Sequence, residues 1–100
     1  MYGMIVKMTA KAGQRDALAA AMLGEGEVMP GCLSFVVAND PTHPEGLWIT
    51  EVWASKDAHA ASMEMPAVKE SMRKGMPLIA GMEIVAETNP VGGIGLAMEV

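Results

Sequence analysis

Residues 47–54 read LWITEVWA, and this stretch decides the fold. In an extended strand, successive side chains point to opposite faces of the sheet. Leu47, Ile49 and Trp53 therefore share one face, while Trp48 and Val52 share the other. A strand with large apolar groups on both faces needs cover on both. The stretch predicts a strand within a sheet that is covered on each side.

The segments around this stretch predict the order β-α-β-β-α-β. Alternation and turn residues predict strands over four ranges: 2–10, 32–38, 47–54 and 82–88. Helical spacing and capping residues predict helices from Gln14 to about Glu27, from Lys56 to about Glu64 and from Pro66 to Lys74. Right-handed crossovers would place the helices on one face of a four-stranded sheet, which is the ferredoxin-like α+β fold.

The length and composition predict one domain over residues 1–100 that works as a homodimer. One hundred residues is the usual size of a single domain. Hydrophobic residues make up 51% of the chain, which is more than so small a core needs. The helices cover only one face of the predicted sheet. A second copy of the chain is the simplest cover for the other face.

Charge and sequence pattern exclude several classes of function. The net charge of −5 disfavours binding to nucleic acid, whose phosphates would be repelled. The apolar runs are too short to span a bilayer, and no secretion signal is seen at the N-terminus, so a cytoplasmic protein is expected. The single cysteine, Cys32, cannot form an intrachain disulfide. Two scattered histidines and one cysteine match no metal-binding spacing, so no metal site is predicted.

Glu51 and His59 are the candidate catalytic residues. Glu51 is a charged residue within an apolar strand and shares the face of Ile49 and Trp53. Burial disfavours the charged form of a carboxyl, which would make Glu51 a stronger base. The structural alternative is a carboxylate paired with Lys7 or another cation, or bonded to backbone N–H groups. His59 lies early in the second helical region, where it is a base or a hydrogen-bond partner, or alternatively an exposed or rim histidine.

Aromatic residues supply the candidate substrate contacts. Trp53 and Trp48 point to opposite faces, so one would stack on an aromatic ligand while the other packs at a dimer interface. Tyr2, Phe35 and the methionines are candidates for the pocket walls, since methionine suits a loosely specific apolar cavity. Core packing alone would also explain all of these residues.

The same segments resemble the antibiotic biosynthesis monooxygenase family. Residues 48–53, WITEVW, followed by SKDAH at 55–59, are similar to the third strand and the following helix of that family, which usually shows Glu-x-Trp or Glu-x-Tyr. Three flanking segments fit in order and spacing: GQR at 13–15, MPGC at 29–32 and ETNP at 87–90. The resemblance covers nearly the whole chain.

The resemblance implies a dimeric α/β barrel with a pocket between each sheet and its own helices. It also implies a cofactor-independent monooxygenase that oxidises a small aromatic compound, such as a quinol or a polyketide, with O₂. A non-catalytic dimeric binding protein and a haem-degrading relative are the alternatives. The family often has a histidine one helical turn after the position of His59, where this chain has Ser62. This departure favours the binding protein, while Ser62 remains a candidate contact to substrate.

Overall fold

The structure, a computed structural model, describes residues 1–24, 26 and 29–96. Its elements are β1 Tyr2–Ala10, α1 Arg15–Leu23, β2 Cys32–Asn39, β3 Gly46–Trp53, α2 Lys56–Ser62, α3 Pro66–Gly75, a 3₁₀ turn Met76–Leu78 and β4 Ile79–Thr88. No helix in this part of the chain is long and apolar enough to cross a membrane.

The four strands form one antiparallel sheet in the order β2-β3-β1-β4. This order and the β-α-β-β-α-α-β sequence of elements confirm the predicted ferredoxin-like α+β fold. Alternation holds throughout β1, whose bounds are as predicted. Tyr2, Met4, Val6, Met8 and Ala10 are all buried on the side of the helices.

The two faces of the sheet differ in their cover. The helix side carries Leu47, Ile49 and Trp53 of β3, which join Leu18 of α1 in the buried core. The opposite face, called the open side below, carries the alternate residues of each strand. These include Ile5 and Lys7 of β1, Trp48, Thr50 and Val52 of β3, and Val36 of β2, as the strand register shows.

Several element ends differ from the sequence prediction for local reasons. α1 ends at Leu23 because Gly24 takes a positive φ of 62°; the predicted end, Glu27, lies outside the described residues. α2 ends at Ser62 instead of Glu64, and Met65 is extended, as expected for a residue that precedes proline. β4 begins at Ile79 instead of Met82, because Ile79 already pairs with Ala10.

A register shift in β4 overturns the alternation predicted for that strand. The sequence places Glu83, Val85 and Glu87 on one face. In the structure Val6 pairs with Ile84 and Ile5 pairs with Ala86, so the strand gains one residue between them. Such a bulge reverses the facing of the residues after it. Glu87 therefore pairs with Met4 on the helix side of the sheet.

Gly31 is the glycine whose replacement we expect to be most costly. Its φ is +81°, and a Cβ there would lie 2.7 Å from the Cβ of Ala58 on α2. Gly31→Ala should therefore lower the free energy of unfolding by about 2–4 kcal/mol, measured by urea denaturation. Gly13→Ala is the matched control, because Gly13 has a φ of +74° and open space around it. Equal losses in the two variants would show that the contact with α2 is unimportant.

Candidate active site

An apolar cavity of about 270 Å³ lies between the helix side of the sheet and the helices. Seven of the eleven methionines line it: Met4, Met8, Met22, Met29, Met63, Met72 and Met82. Its polar lining residues are Glu51, His59, Ser62 and Ser71. No lysine or arginine is among the described lining residues. The cavity is therefore suited to an uncharged, largely apolar ligand.

Glu51 is the one carboxylate in the cavity lining of the described chain, and its contacts are specific. Its side chain is only 11% exposed. Oε1 accepts a hydrogen bond of 3.0 Å from the indole Nε1 of Trp53, two residues further along the same face of β3. The same oxygen lies 3.9 Å from Nε2 of His59. A carboxylate held in this way has a defined orientation and retains an oxygen that can accept a proton.

His59 is held above the strand by two aromatic rings. Its imidazole centroid lies 5.3 Å from the ring of Trp53, in an edge-on arrangement, and 5.8 Å from the ring of Tyr2. α2 starts in a fixed position because the Oγ of Ser55 accepts a hydrogen bond from the Ala58 backbone N–H. The structure thus brings together three residues from the sequence prediction: Glu51, His59 and Trp53.

The pairing of Glu51 with Lys7 is wrong. Lys7 lies on the open side of the sheet, and its Nζ is 5.5 Å from the ring centroid of Trp48. The facing of Lys7 and Glu51 follows from the register, in which Lys7 pairs with Trp48 and Met4 pairs with Glu51. A charge on one face of a sheet cannot contact a carboxylate on the other.

Trp48 does not line this cavity, and its role as a substrate contact stays a prediction. The prediction that Trp48 and Trp53 point to opposite faces is confirmed by the strand register. The indole in the cavity is that of Trp53. The indole on the open side is that of Trp48.

Phe35 and Ser62 both line the cavity. Phe35 of β2 pairs with Glu51 and lines the cavity, so an aromatic face lies beside the carboxylate. Ser62 is buried, and its hydroxyl donates a 2.6 Å hydrogen bond to the backbone carbonyl of His59. That hydroxyl can accept a hydrogen bond from a ligand, but it cannot replace an imidazole as a base.

Tyr2 borders the site through its contact with His59, although it is not part of the cavity wall. Its hydroxyl lies near the carboxylate of Glu87. Burial, followed by the negative charge of Glu87, raises the pKa of Tyr2 above its usual range. The neutral phenol is therefore favoured, and it holds one edge of the histidine ring.

Tyr2 offers a direct spectroscopic test, because it is the only tyrosine in the chain. We expect the ultraviolet absorbance of the phenolate to appear at a higher pH than in a free tyrosine peptide, because the pKa of Tyr2 is raised. Glu87→Gln should move this transition to lower pH, because the neighbouring negative charge is removed. Glu83→Gln, on the open side of β4, is the control. A transition that is the same in all three proteins would contradict the Tyr2–Glu87 contact.

Glu87 is the residue that sequence reasoning missed. The bulge in β4 turns it toward the helix side, and alternation gave no sign of this. The terminal motif ETNP was a flanking signal for the family, but it gave no indication of a contact with Tyr2. The sequence indicated that methionines could form the pocket walls only because methionine is a flexible apolar residue. Its concentration in one cavity depends on how the three helices lie over the sheet.

Two other polar residues lie apart from this chemistry. His43 is exposed in the loop before β3, where its Nδ1 accepts a hydrogen bond from the backbone N–H of Glu45. Cys32 is half-buried, and burial is the largest cause of the raised pKa of its thiol. Such a thiol is a poor nucleophile near neutral pH. In residues 1–24, 26 and 29–96, no three His, Cys, Asp or Glu side chains form a cluster that would hold a metal ion.

Comparison with known proteins identifies the fold and the family. The family model for antibiotic biosynthesis monooxygenase matches residues 1–74. The chain is 52% identical to a candidate antibiotic biosynthesis monooxygenase from Chloroflexus aurantiacus J-10-fl, over 95% of this chain and 97% of that one, with a TM-score of 0.90. No curated protein is significantly similar to the chain.

More distant structures share the fold. A candidate antibiotic biosynthesis monooxygenase from Nitrosomonas europaea is 20% identical, over 92% of this chain and all of that one (100%), with a TM-score of 0.78. Another from Deinococcus radiodurans is also 20% identical, over 94% and 96% of the two chains, with a TM-score of 0.75. The match of residues 1–74 contains Glu51, His59 and Trp53, which form the polar end of the cavity. The chain belongs to the antibiotic biosynthesis monooxygenase family.

Proposed function

We propose that this protein is a cofactor-independent monooxygenase that oxidises a small hydroquinone-like aromatic compound with O₂. The observation that carries the proposal is the carboxylate of Glu51, held by Trp53 Nε1 at 3.0 Å inside an apolar cavity. A base in a dry pocket is what an electron-rich phenol needs before it reacts with O₂, because its anion gives up an electron far more readily.

In this reaction the substrate supplies every electron. A hydroquinone and O₂ give a hydroxyquinone and water: one oxygen atom forms a new bond to a ring carbon, and the other leaves as water. The hydroxyl protons and the hydrogen on the attacked carbon are balanced by the water and the new hydroxyl. No external reductant is required. The protein removes a proton, orients the ring and excludes solvent.

Each side chain at the polar end of the cavity has a role in this proposal. Glu51 takes the proton from the substrate hydroxyl. His59, 3.9 Å from the same carboxylate oxygen, accepts or returns a proton as Glu51 changes state. Trp53 orients Glu51 through its indole N–H, and Phe35 offers an apolar face to the aromatic ring. Tyr2 and Trp53 together keep the imidazole in place.

The direct test is O₂ uptake by metal-stripped protein with a panel of hydroquinones and hydroxynaphthalenes. The expected result is protein-dependent consumption of one O₂ for each hydroxyquinone formed, with no hydrogen peroxide left in solution. Catalase distinguishes this outcome from simple autoxidation, because it returns oxygen only when peroxide is released. Uptake no faster than in buffer for every compound would contradict the proposal.

A second candidate function is the non-catalytic binding of a similar aromatic compound. Ser62 favours it, because a buried serine stands where the family often has a histidine. Its hydroxyl proton is already donated to the His59 carbonyl, so it contributes no second base. The two functions share one ligand class. They differ in whether the bound compound is consumed in the presence of O₂.

We further propose that the protein is a homodimer joined through the open side of the sheet. Ile5, Trp48 and Val52 lie on this side, and Val36 there is exposed. An apolar face of this kind usually marks a protein interface. The face also carries Lys7 and Glu83, which lie opposite each other on neighbouring strands of the same sheet. Their opposite charges can therefore stay close to each other when a second sheet covers this face.

Sedimentation equilibrium at micromolar concentration tests this assembly. The wild-type protein should sediment as a dimer. Val36→Asp places a charge on the open side, in the edge strand β2, and should shift the population to monomer. Val91→Asp is the matched control, since Val91 is fully exposed beyond β4 and should not alter the assembly. A wild-type monomer under these conditions would rule the proposal out.

A further inference from the structure

The cavity wall continues onto β4, at the edge of the sheet, through two side chains that solvent still reaches. Met82 and Ile84 both line the cavity, yet they are 61% and 51% exposed. Large apolar side chains that are part of a cavity wall and also open to solvent mark an apolar exit from that cavity. The cavity therefore has a polar inner end at Glu51 and an apolar opening at β4; Leu23 and Met63, which also line it and are 55% and 39% exposed, form a second opening on the side of the helices.

The strand register gives the length of the path between these ends. Glu51 lies in one row across the sheet with Met4 and Glu87. The next row on the helix side contains Ile84, and the row after it contains Met82. Glu51 and Met82 are two strands apart across the sheet and four residues apart along it. The distance between their backbones is therefore roughly 17 Å, from the usual strand spacing and rise per residue. This path is longer than one aromatic ring.

The chemistry of the path favours an uncharged hydrocarbon chain. Met4, Val6 and Met8 of β1 lie between the two ends and line the cavity. Among the described lining residues none is a lysine or arginine, and the inner end carries the Glu51 carboxylate, so an anionic substituent is disfavoured. Methionine side chains are flexible and polarisable, and they pack well against chains of different shape.

We propose that the preferred ligand is a hydroxyarene that carries an alkyl or isoprenoid chain. Its hydroxyl contacts Glu51, and its chain leaves the cavity between Ile84 and Met82. Met82 and Ile84 then determine specificity for chain length. The hydroxyarene end of the ligand rests on the proposed function, while the chain subsite rests on the exposed outer wall.

The test measures the affinity of 4-alkylphenols, from ethyl to decyl, by isothermal titration calorimetry without O₂. All ligands are kept below the concentration at which they form micelles. In the wild-type protein, affinity should rise by up to about fourfold for each methylene that the wall buries. In Met82→Ser and Ile84→Ser, the gain from the outer methylenes should be lost, while the affinity for ethylphenol stays the same.

Met76→Ser is the matched control. Met76 is 58% exposed, as Met82 is, but it does not line the cavity, so this change should leave the dependence on chain length intact. Affinity that does not vary with chain length in the wild type would overturn the inference, and so would a full dependence retained in both wall variants. Dissociation of the dimer by the long-chain ligands would also overturn it, because the outer wall would then belong to a subunit contact.

The binding experiment and the oxidation experiment can give negative results independently of each other. Binding is measured without O₂ and needs no turnover. If affinity is independent of chain length while hydroquinones are still oxidised, only the chain subsite is lost. If the dependence is found and no hydroquinone is oxidised, the subsite stands and the protein is a binder of alkylated hydroxyarenes.

Discussion

Glu51→Gln is expected to lower the rate of hydroquinone oxidation by about 100-fold or more, the usual loss when a general base is removed. Glutamine has the shape of glutamate, and its side-chain oxygen can still accept the hydrogen bond from Trp53 Nε1. Only the ability to take a proton is removed. Steady-state O₂ uptake at saturating substrate measures the loss, and tryptophan fluorescence checks that the site remains intact.

The size of this loss should depend on the acidity of the substrate. A hydroquinone that is already ionised in solution does not need Glu51, so the variant should recover most of its rate with an acidic, halogenated hydroquinone. Glu83→Gln makes the same chemical change on the open side of the sheet and should leave the rate unchanged. A loss of the same size for acidic and ordinary substrates would show that Glu51 acts in some way other than as a base.

Leu18→Ala should lower the free energy of unfolding by about 2–5 kcal/mol, the usual cost of a cavity left by a deleted leucine. Leu18 is 0% exposed and is the buried residue of α1. It packs close to Gly75 at the end of α3, where the absence of a side chain lets the two helices approach. A small domain has a free energy of unfolding of only about 5–15 kcal/mol, so this variant should unfold at a clearly lower urea concentration.

Leu23→Ala is the matched control for this prediction. Leu23 lies on the same helix but is exposed, and Leu23→Ala removes the same atoms as Leu18→Ala. Its replacement should cost less than about 1 kcal/mol. Leu18 does not line the cavity, so Leu18→Ala should bind phenols normally at low temperature, where it remains folded. A loss for Leu18→Ala as small as the one expected for Leu23→Ala would mean that Leu18 contributes little to the core.

Alternation made most of the sheet predictable from the sequence. In β1 and β3 it places the apolar residues correctly, and it puts Glu51 and Trp53 on one face because they are two residues apart. A direct hydrogen bond between their side chains is a consequence of that spacing. The order of elements then limits the topology to few arrangements, since crossovers between strands of one sheet are right-handed.

Alternation fails where a strand contains a bulge. β4 gains a residue between Ile84 and Ala86, and this turns Glu87 toward Tyr2 instead of away from it. A bulge depends on the partner strand, and nothing in residues 82–88 marks it. The position of the His59 side chain next to Glu51 was also unpredictable, because it depends on how α2 lies over β3.

Part of the buried core lies away from the cavity wall. Leu18 and Leu47 are fully buried and do not line the cavity, while most of the methionines do. A flexible side chain can be exchanged for leucine or isoleucine at small cost in stability. Random mutagenesis of the wall should therefore yield many folded proteins with altered ligand preference. Such a scaffold can acquire new selectivity in few steps without first being stabilised.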